Sequence, residues 1–244
     1  MTVESRGATT AYDRLAAHIR EQILSGELRA GHQLPTESEL SDHYQVSRNT
    51  AREAVRALAS QGLVMVKRGV GGGTFVTRPT PAQISESLRL NLALLADGTD
   101  LTVRALVDIR EMLEVPAAEI AARNRSEEEL AAIRETLFDP VDVNPKSVFS
   151  DNRSFHLGVL RATHNPLMEM MAEPVFRVLQ ERFLRERASE DFWVQVDHDH
   201  REIFGHLESG DQAGAREATR AHLRYLRIHY EAIDRNKDEP APKQ

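Results

Sequence analysis

The chain has 244 residues, a formal net charge of −7, 41% hydrophobic residues and no cysteine. That is enough apolar mass for a buried core, and the missing thiols exclude disulfide frameworks, thiolate zinc fingers, iron–sulfur clusters and a cysteine nucleophile. No apolar run approaches the ~18 residues of a membrane span, and the opening MTVESRGATT lacks the apolar stretch of a secretory leader, so a soluble, cytoplasmic protein without membrane contact is expected.

Tyr12, Leu15, Ile19, Ile23 and Leu24 recur at helical spacing, which predicts an amphipathic helix over about 10–25, stopped by Ser25-Gly26. Gly31 to Pro35 reads as a turn. Thr36 can cap a short helix from Glu37 to about His43, with Glu39 completing a capping box. Tyr44-Gln45-Val46 is a tight connection. Ser47 then caps a third helix to about Gln61, which turns Ala51, Val55 and Leu58 inward and stops at Gly62. Leu63–Val66 and Thr74–Val76 read as the two strands of a β-hairpin, with a glycine-rich tip from Lys67 to Gly73.

A short helix, a tight turn and a longer helix opening Ser47-Arg48-Asn49-Thr50-Ala51-Arg52 form a helix-turn-helix pattern. The start of such a second helix faces the major groove. Arg48 can be bidentate to guanine, Asn49 can address adenine, and Thr50 and Arg52 can reach phosphate or a base edge. Lys67, Arg68 and Gly69 at the hairpin tip can track the backbone or enter the minor groove. A plain solvated helix face reads the same way.

Arg78-Pro79-Thr80-Pro81 interrupts the pattern and reads as a stiff linker. Charge changes sign across it. Residues 1–78 carry ten Lys/Arg against eight Asp/Glu, a net of +2; residues 79–244 carry 21 against 30, a net of −9. A weakly basic front and a strongly acidic remainder suggest separate jobs. Beyond the linker, segments 82–96, 101–123, 126–138, 147–164, 166–188, 191–209 and 212–234 all show spaced apolar residues, and no β-alternation stands out. Their short connections favour antiparallel neighbours. The expected fold is therefore mainly α: an N-terminal winged helix-turn-helix with a small β-hairpin (1–78), a C-terminal all-α antiparallel helical bundle (79–235) and a disordered tail (236–244).

Ten histidines are present. Asn152 and His156 stand four apart on one helical face. His200 lies ten residues before Gly210 and His222 eleven after Asp211, so an antiparallel hairpin brings both rings to one level. Neutral imidazoles suit Zn, Ni, Fe or Mn, and an amide oxygen can complete the set. The alternative is a group of surface or hydrogen-bonded core histidines. His198 and His206 fall on other faces of their helix.

The first domain resembles the winged-helix domain of the GntR family of bacterial transcription regulators. The resemblance rests on Ile23-Leu24-Ser25-Gly26-Glu27-Leu28, the run GHQLPTESEL from Gly31 to Leu40, Val46-Ser47-Arg48, Arg52-Glu53-Ala54 and Gly73-Thr74-Phe75-Val76. It implies that Arg48, Asn49, Thr50, Arg52 and the wing around Gly69 contact DNA. Ser38 stands where many relatives carry a DNA-contacting arginine. Residues 82–232 resemble the FCD ligand-binding domain of the FadR-type branch, on Ile109-Arg110 with Leu113-Glu114, Phe155-His156, Asn165-Pro166, His200 with Ile203, Gly210-Asp211 and His222-Leu223. In that branch an Asp or Asn and three histidines bind a divalent metal. The matching positions are Asn152, His156, His200 and His222, and zinc heads the candidate metals. Arg110 matches a family arginine that can meet an effector carboxylate; a salt bridge to Glu114 is the alternative.

The function expected is that of a homodimeric, metabolite-responsive transcription regulator, by resemblance most often a repressor. It would bind a pseudo-palindromic double-stranded DNA operator and a small organic acid effector. The rival is a metal-dependent hydrolase using a site of three histidines. It lacks a general base, since Asp151, Asp199 and Glu202 should point away from the ligands.

Overall fold

The computed structural model describes residues 10–97, 101–138, 148–181 and 189–235. The tail expected to be disordered, 236–244, lies outside the described residues. The chain divides into two compact units, Met1–Thr80 and Pro81–Gln244.

The first unit comprises α1 (Ala11–Leu24), β1 (Gln33–Leu34), α2 (Glu37–Tyr44), α3 (Arg48–Ser60), β2 (Val64–Lys67) and β3 (Gly73–Val76). Local chemistry starts each helix. Thr10 and Thr36 form capping boxes with Asp13 and Glu39, and the Ser47 side chain accepts from the Thr50 N–H. Gln45 takes the left-handed conformation (φ 53°) that lets the chain turn from α2 into α3. Leu15, Ile19, Leu34, Leu40, Ala51, Ala54, Val55, Leu58, Val64 and Val76 close one apolar core. Two apolar residues of α1 are not in it: Leu24 is exposed because it points away from the Leu15–Ile19 face at the helix end, and Tyr12, which shares that face, is exposed in the first turn. The hairpin is also larger than expected. Gln33–Leu34, expected as a turn, pairs antiparallel with β3, giving a three-stranded sheet in the order β1-β3-β2.

The second unit is helical throughout its described residues: α4 (Pro81–Asp97), α5 (Val103–Asn124), α6 (Glu127–Arg134), α7 (Val148–Arg161), α8 (Pro166–Leu179), α9 (Glu190–Ser209) and α10 (Gln212–Arg235). Pro81, expected in the linker, instead opens α4, where a missing N–H costs nothing. Gly210 (φ 72°) ends α9, and Asp211 Oδ1 accepts from the Gly214 N–H at the start of α10. This tight turn folds α10 back on α9. α5 lies between them and α7, packed along α10. Arg125, just after α5, donates to the carbonyls of Leu207 (2.8 Å) and Glu208 (2.9 Å), satisfying orphan acceptors at the end of α9. Val107, Val178, Leu179, Trp193, Val196, Leu223, Leu226 and Tyr230 form the main core. No described helix is long and apolar enough to cross a membrane.

Candidate functional site

His156 on α7, His200 on α9 and His222 on α10 converge in the interior of the second unit. Their exposures are 3%, 0% and 1%, and one ring nitrogen from each lies within 4.8 Å of the others. The equal distances of His200 and His222 from the Gly210 turn produce this meeting. His156 Nε2 lies 3.3 Å from His200 Nε2. Phe155 stacks on the His200 ring at 3.9 Å between centroids and fixes its plane. Asn152, one turn before His156, is buried, and its Oδ1 has no hydrogen-bond partner among the described residues. The same holds for His222 Nε2 and His200 Nδ1. The decoys stay outside: His198 is exposed and His206 bonds Asp211.

Two carboxylates orient the rings from outside. Asp199 Oδ2 lies 3.0 Å from His222 Nδ1, and Glu114 Oε2 lies 2.8 Å from His156 Nδ1. Burial would push the Glu114 carboxyl up, but Arg110 and His156 beside it bring it down to about 2. It is ionised and can only accept, so His156 carries its proton on Nδ1 and turns a bare Nε2 inward. Asp199 does the same for His222; burial raises its carboxyl, but the hydrogen bond and charge of His222, with hydrogen bonds from Gln195 and His198, together bring it below its ordinary value. Burial pushes His156 down to about 4, against the pull of Glu114. His200 falls well below its ordinary value, first through burial and then through the neighbouring His156, His222 and Arg110. Three buried imidazoles, two of them with a carboxylate on the outer nitrogen, are a donor arrangement a divalent transition metal takes. Together with the unpartnered Asn152 Oδ1 and His222 Nε2, they fit such an ion.

Neither carboxylate was a sequence-level candidate in this role. Asp199 does point away from His200, as its position predicts, but towards α10, where it reaches His222. Glu114 was legible only as the i+4 partner of Arg110. That salt bridge is present and buried: Arg110 Nε donates to Glu114 Oε1 at 2.6 Å. The Arg110 guanidinium also lies 3.2 Å from His156 Nε2 through Nη2, and 4.5 Å over the Phe176 ring. Arg110, Asn152, Phe176 and Tyr230 border one small hollow; Glu114, His156 and Thr219 border another.

The nucleic-acid candidates are arranged in the opposite way. Arg48, Asn49 and Arg52 are exposed at the start of α3, and Lys67, Arg68 and Gly69 at the strand turn. Thr50 is half-buried, its hydroxyl 2.8 Å from Ser47 Oγ in the cap. Arg52 Nε donates to Glu37 of α2 at 2.9 Å; such an exposed pair is worth at most about 1 kcal/mol, so it yields readily to phosphate. Ser38 is half-buried on α2. At the tip only glycine fits position 72, where a Cβ would lie 2.5 Å from the Lys67 carbonyl oxygen.

Comparison with known proteins agrees with both halves. Residues 11–76 match the gntR family of bacterial regulatory proteins, and residues 105–225 match the FCD domain. The chain is 30% identical to the HTH-type transcriptional regulator LutR of Bacillus subtilis, over 82% of this chain and 92% of that one. It is 26% identical to the galactonate operon transcriptional repressor of Escherichia coli, over 84% and 90%. A solved structure, Streptococcus agalactiae GntR, superimposes with a TM-score of 0.59 at 22% identity, covering 89% of this chain and 99% of that chain, which shows the shared fold. The chain belongs to the GntR family, in its FCD-bearing form, and is a DNA-binding transcription regulator rather than an enzyme.

Proposed function

We propose that the protein is a metabolite-responsive repressor. Residues 1–78 bind a pseudo-palindromic operator, and residues 79–235 bind a divalent cation and a small organic acid. The observation that carries the second half is the convergence of three buried imidazoles beside a buried arginine. His156, His200 and His222 would hold the ion with Asn152, and zinc fits the three nitrogens and one amide oxygen best, with Ni, Fe or Mn as alternatives. The ion would supply a fixed positive charge at which an acid anion can be held. The effector class is supported by Arg110 on the adjoining hollow and by one relative's naming for the galactonate operon, galactonate being an acid anion.

In the first half, Arg48 and Asn49 read base edges, Arg52, Lys67 and Arg68 meet phosphate, and Thr50 and Ser38 lie at the contact's margin. A two-fold operator calls for a homodimer. Exposed apolar side chains in the second unit, Leu90, Leu94 and Leu95 on α4 and Met112 on α5, are the kind of surface such a contact covers. Effector binding alters DNA affinity only if the effector binds one dimer arrangement better than the other.

The test is native mass spectrometry of gently purified protein, followed by gel shifts on genomic fragments with candidate hydroxy acids. The expected result is a dimer carrying one metal per chain and a retarded DNA band released by one acid. A metal-free spectrum that zinc does not change overturns the metal reading, and the absence of any sequence-selective band overturns the operator reading.

A further inference from the structure

His156 is the one histidine of the cluster gripped on both ring nitrogens by a charged pair. Glu114 Oε2 holds Nδ1 at 2.8 Å, while Glu114 Oε1 accepts from Arg110 Nε at 2.6 Å. The same arginine folds back: its Nη2 lies 3.3 Å from Glu114 Oε2 and 3.2 Å from His156 Nε2. Since Nδ1 carries the imidazole proton, Nε2 offers a single lone pair, and here Arg110 donates to it. Nε2 is also the nitrogen nearest His200 Nε2, at 3.3 Å. Nδ1 faces Glu114, so a cation shared with His200 and His222 has only Nε2 to take.

We propose that the Arg110 guanidinium and the divalent cation compete for His156 Nε2, so that cation uptake frees the Arg110 Nη2 N–H that faces His156 for an incoming carboxylate, while its bonds to Glu114 remain. This deepens the metal reading above and rests on it. Arg110 need not leave Glu114 to do so, because its Nε bond to Oε1 is separate from its Nη2 contact with the histidine. The freed Nη2 borders the hollow shared with Asn152 and Tyr230. A dication brought beside a guanidinium raises the local positive charge, and an anion relieves it. Cation and carboxylate therefore favour one another, by reciprocal linkage. Arg110 and Glu114 are positioning residues: Glu114 aims the ligand nitrogen, and Arg110 covers it until the cation arrives.

The test is calorimetric titration of chelator-stripped protein with Zn²⁺ in carboxylate-free buffer, using wild type, Arg110→Lys and Glu114→Gln. Lysine keeps a positive charge against Glu114 but, as a shorter single-point donor, cannot also reach His156. Zn²⁺ affinity is expected to rise about tenfold, the worth of one charge-assisted hydrogen bond. In Glu114→Gln the amide donates to Nδ1, moves the imidazole proton to Nε2 and lowers Zn²⁺ affinity by about tenfold or more. A merely structural role would weaken binding in both variants. Should either variant fail to fold, the crystal structure of zinc-loaded wild type decides: Arg110 Nη2 should lie beyond about 4 Å from His156 Nε2, outside hydrogen-bond reach. Zinc bound with that contact intact, or both variants shifting affinity the same way, overturns the competition and leaves the metal site standing. Wild type that takes up no zinc overturns the metal site, and the competition with it.

Discussion

Among the described residues of the first unit, Ser41 is the one polar side chain that is buried; the charged groups of α3 and the wing lie outside. The second unit buries Arg110, Glu114, Asp197, Asn152, Thr219 and three histidines. The difference follows from what each must meet. Duplex DNA presents its charge on a large rigid surface, so its reader needs exposed cations on a stiff apolar scaffold. A small ion or acid must be stripped of water to be held selectively, so its receptor carries charge inside, where each group needs a partner. Substitutions in the first unit should therefore change function while sparing stability. Those in the second should change both.

The largest expected effect is at Glu114. Glu114→Ala leaves the buried Arg110 without its carboxylate and His156 Nδ1 without an acceptor, and should cost about 3–5 kcal/mol. Trp193, the only tryptophan, sits in the core of the second unit, so its fluorescence reports that unit's unfolding. An early fluorescence transition is expected in denaturant. If the loss is under about 1 kcal/mol, the buried network is not the structural keystone this contrast requires.

Acid should separate the two units as well. His156 and His200 have folded-state pKa values below the ordinary 6.5, with His156 at about 4. As pH falls below about 6.5 the unfolded chain takes up protons that the folded rings refuse, so stability falls. The slope is about 1.4 kcal/mol per pH unit for each histidine so affected. Glu114, lowered to about 2 from 4.5, adds stability that is present above 4.5 and lost as pH falls from there towards 2. Chelator-stripped protein melted from pH 7 to pH 5 should lose fluorescence-monitored stability steadily. A flat profile would mean the rings titrate as they do in the unfolded chain.

The smallest effect on the fold is expected at the reader. Arg48→Ala should leave denaturation within about 0.5 kcal/mol of wild type. It should reduce discrimination between operator and competitor DNA about ten- to hundredfold in a competition gel shift. Unchanged discrimination would remove Arg48 from the base contacts and move sequence reading elsewhere on the wing or helix.

Helices and their ends were legible because their causes are local. Thr36 with Glu39, Ser47 and Gly210 each act within a few residues, and the periodic apolar residues mark which face is covered. The histidine meeting was legible for a related reason: a helix converts residue counts into lengths, so equal spacing from Gly210 implied equal height. β1 was not legible. Two residues are too few to show alternation, and Gln33–Leu34 becomes a strand only because Phe75 and Thr74, some forty positions away, supply its partners. The outer partners of the rings were hidden in the same way. Asp199 was excluded by its angle to His200 on its own helix, yet what mattered was its distance to His222 on the next.

By itself, the sequence determined two units of opposite charge, their helical registers and caps, the exposed start of α3 and the equal height of His200 and His222 about the Gly210 turn. Each of these follows from spacing along one chain segment. Only the tertiary structure decided that Glu114 and Asp199 set the imidazole tautomers and that Arg110 lies against the nitrogen facing the cluster. Those facts depend on angles and distances between helices, and no periodicity within a single helix encodes them.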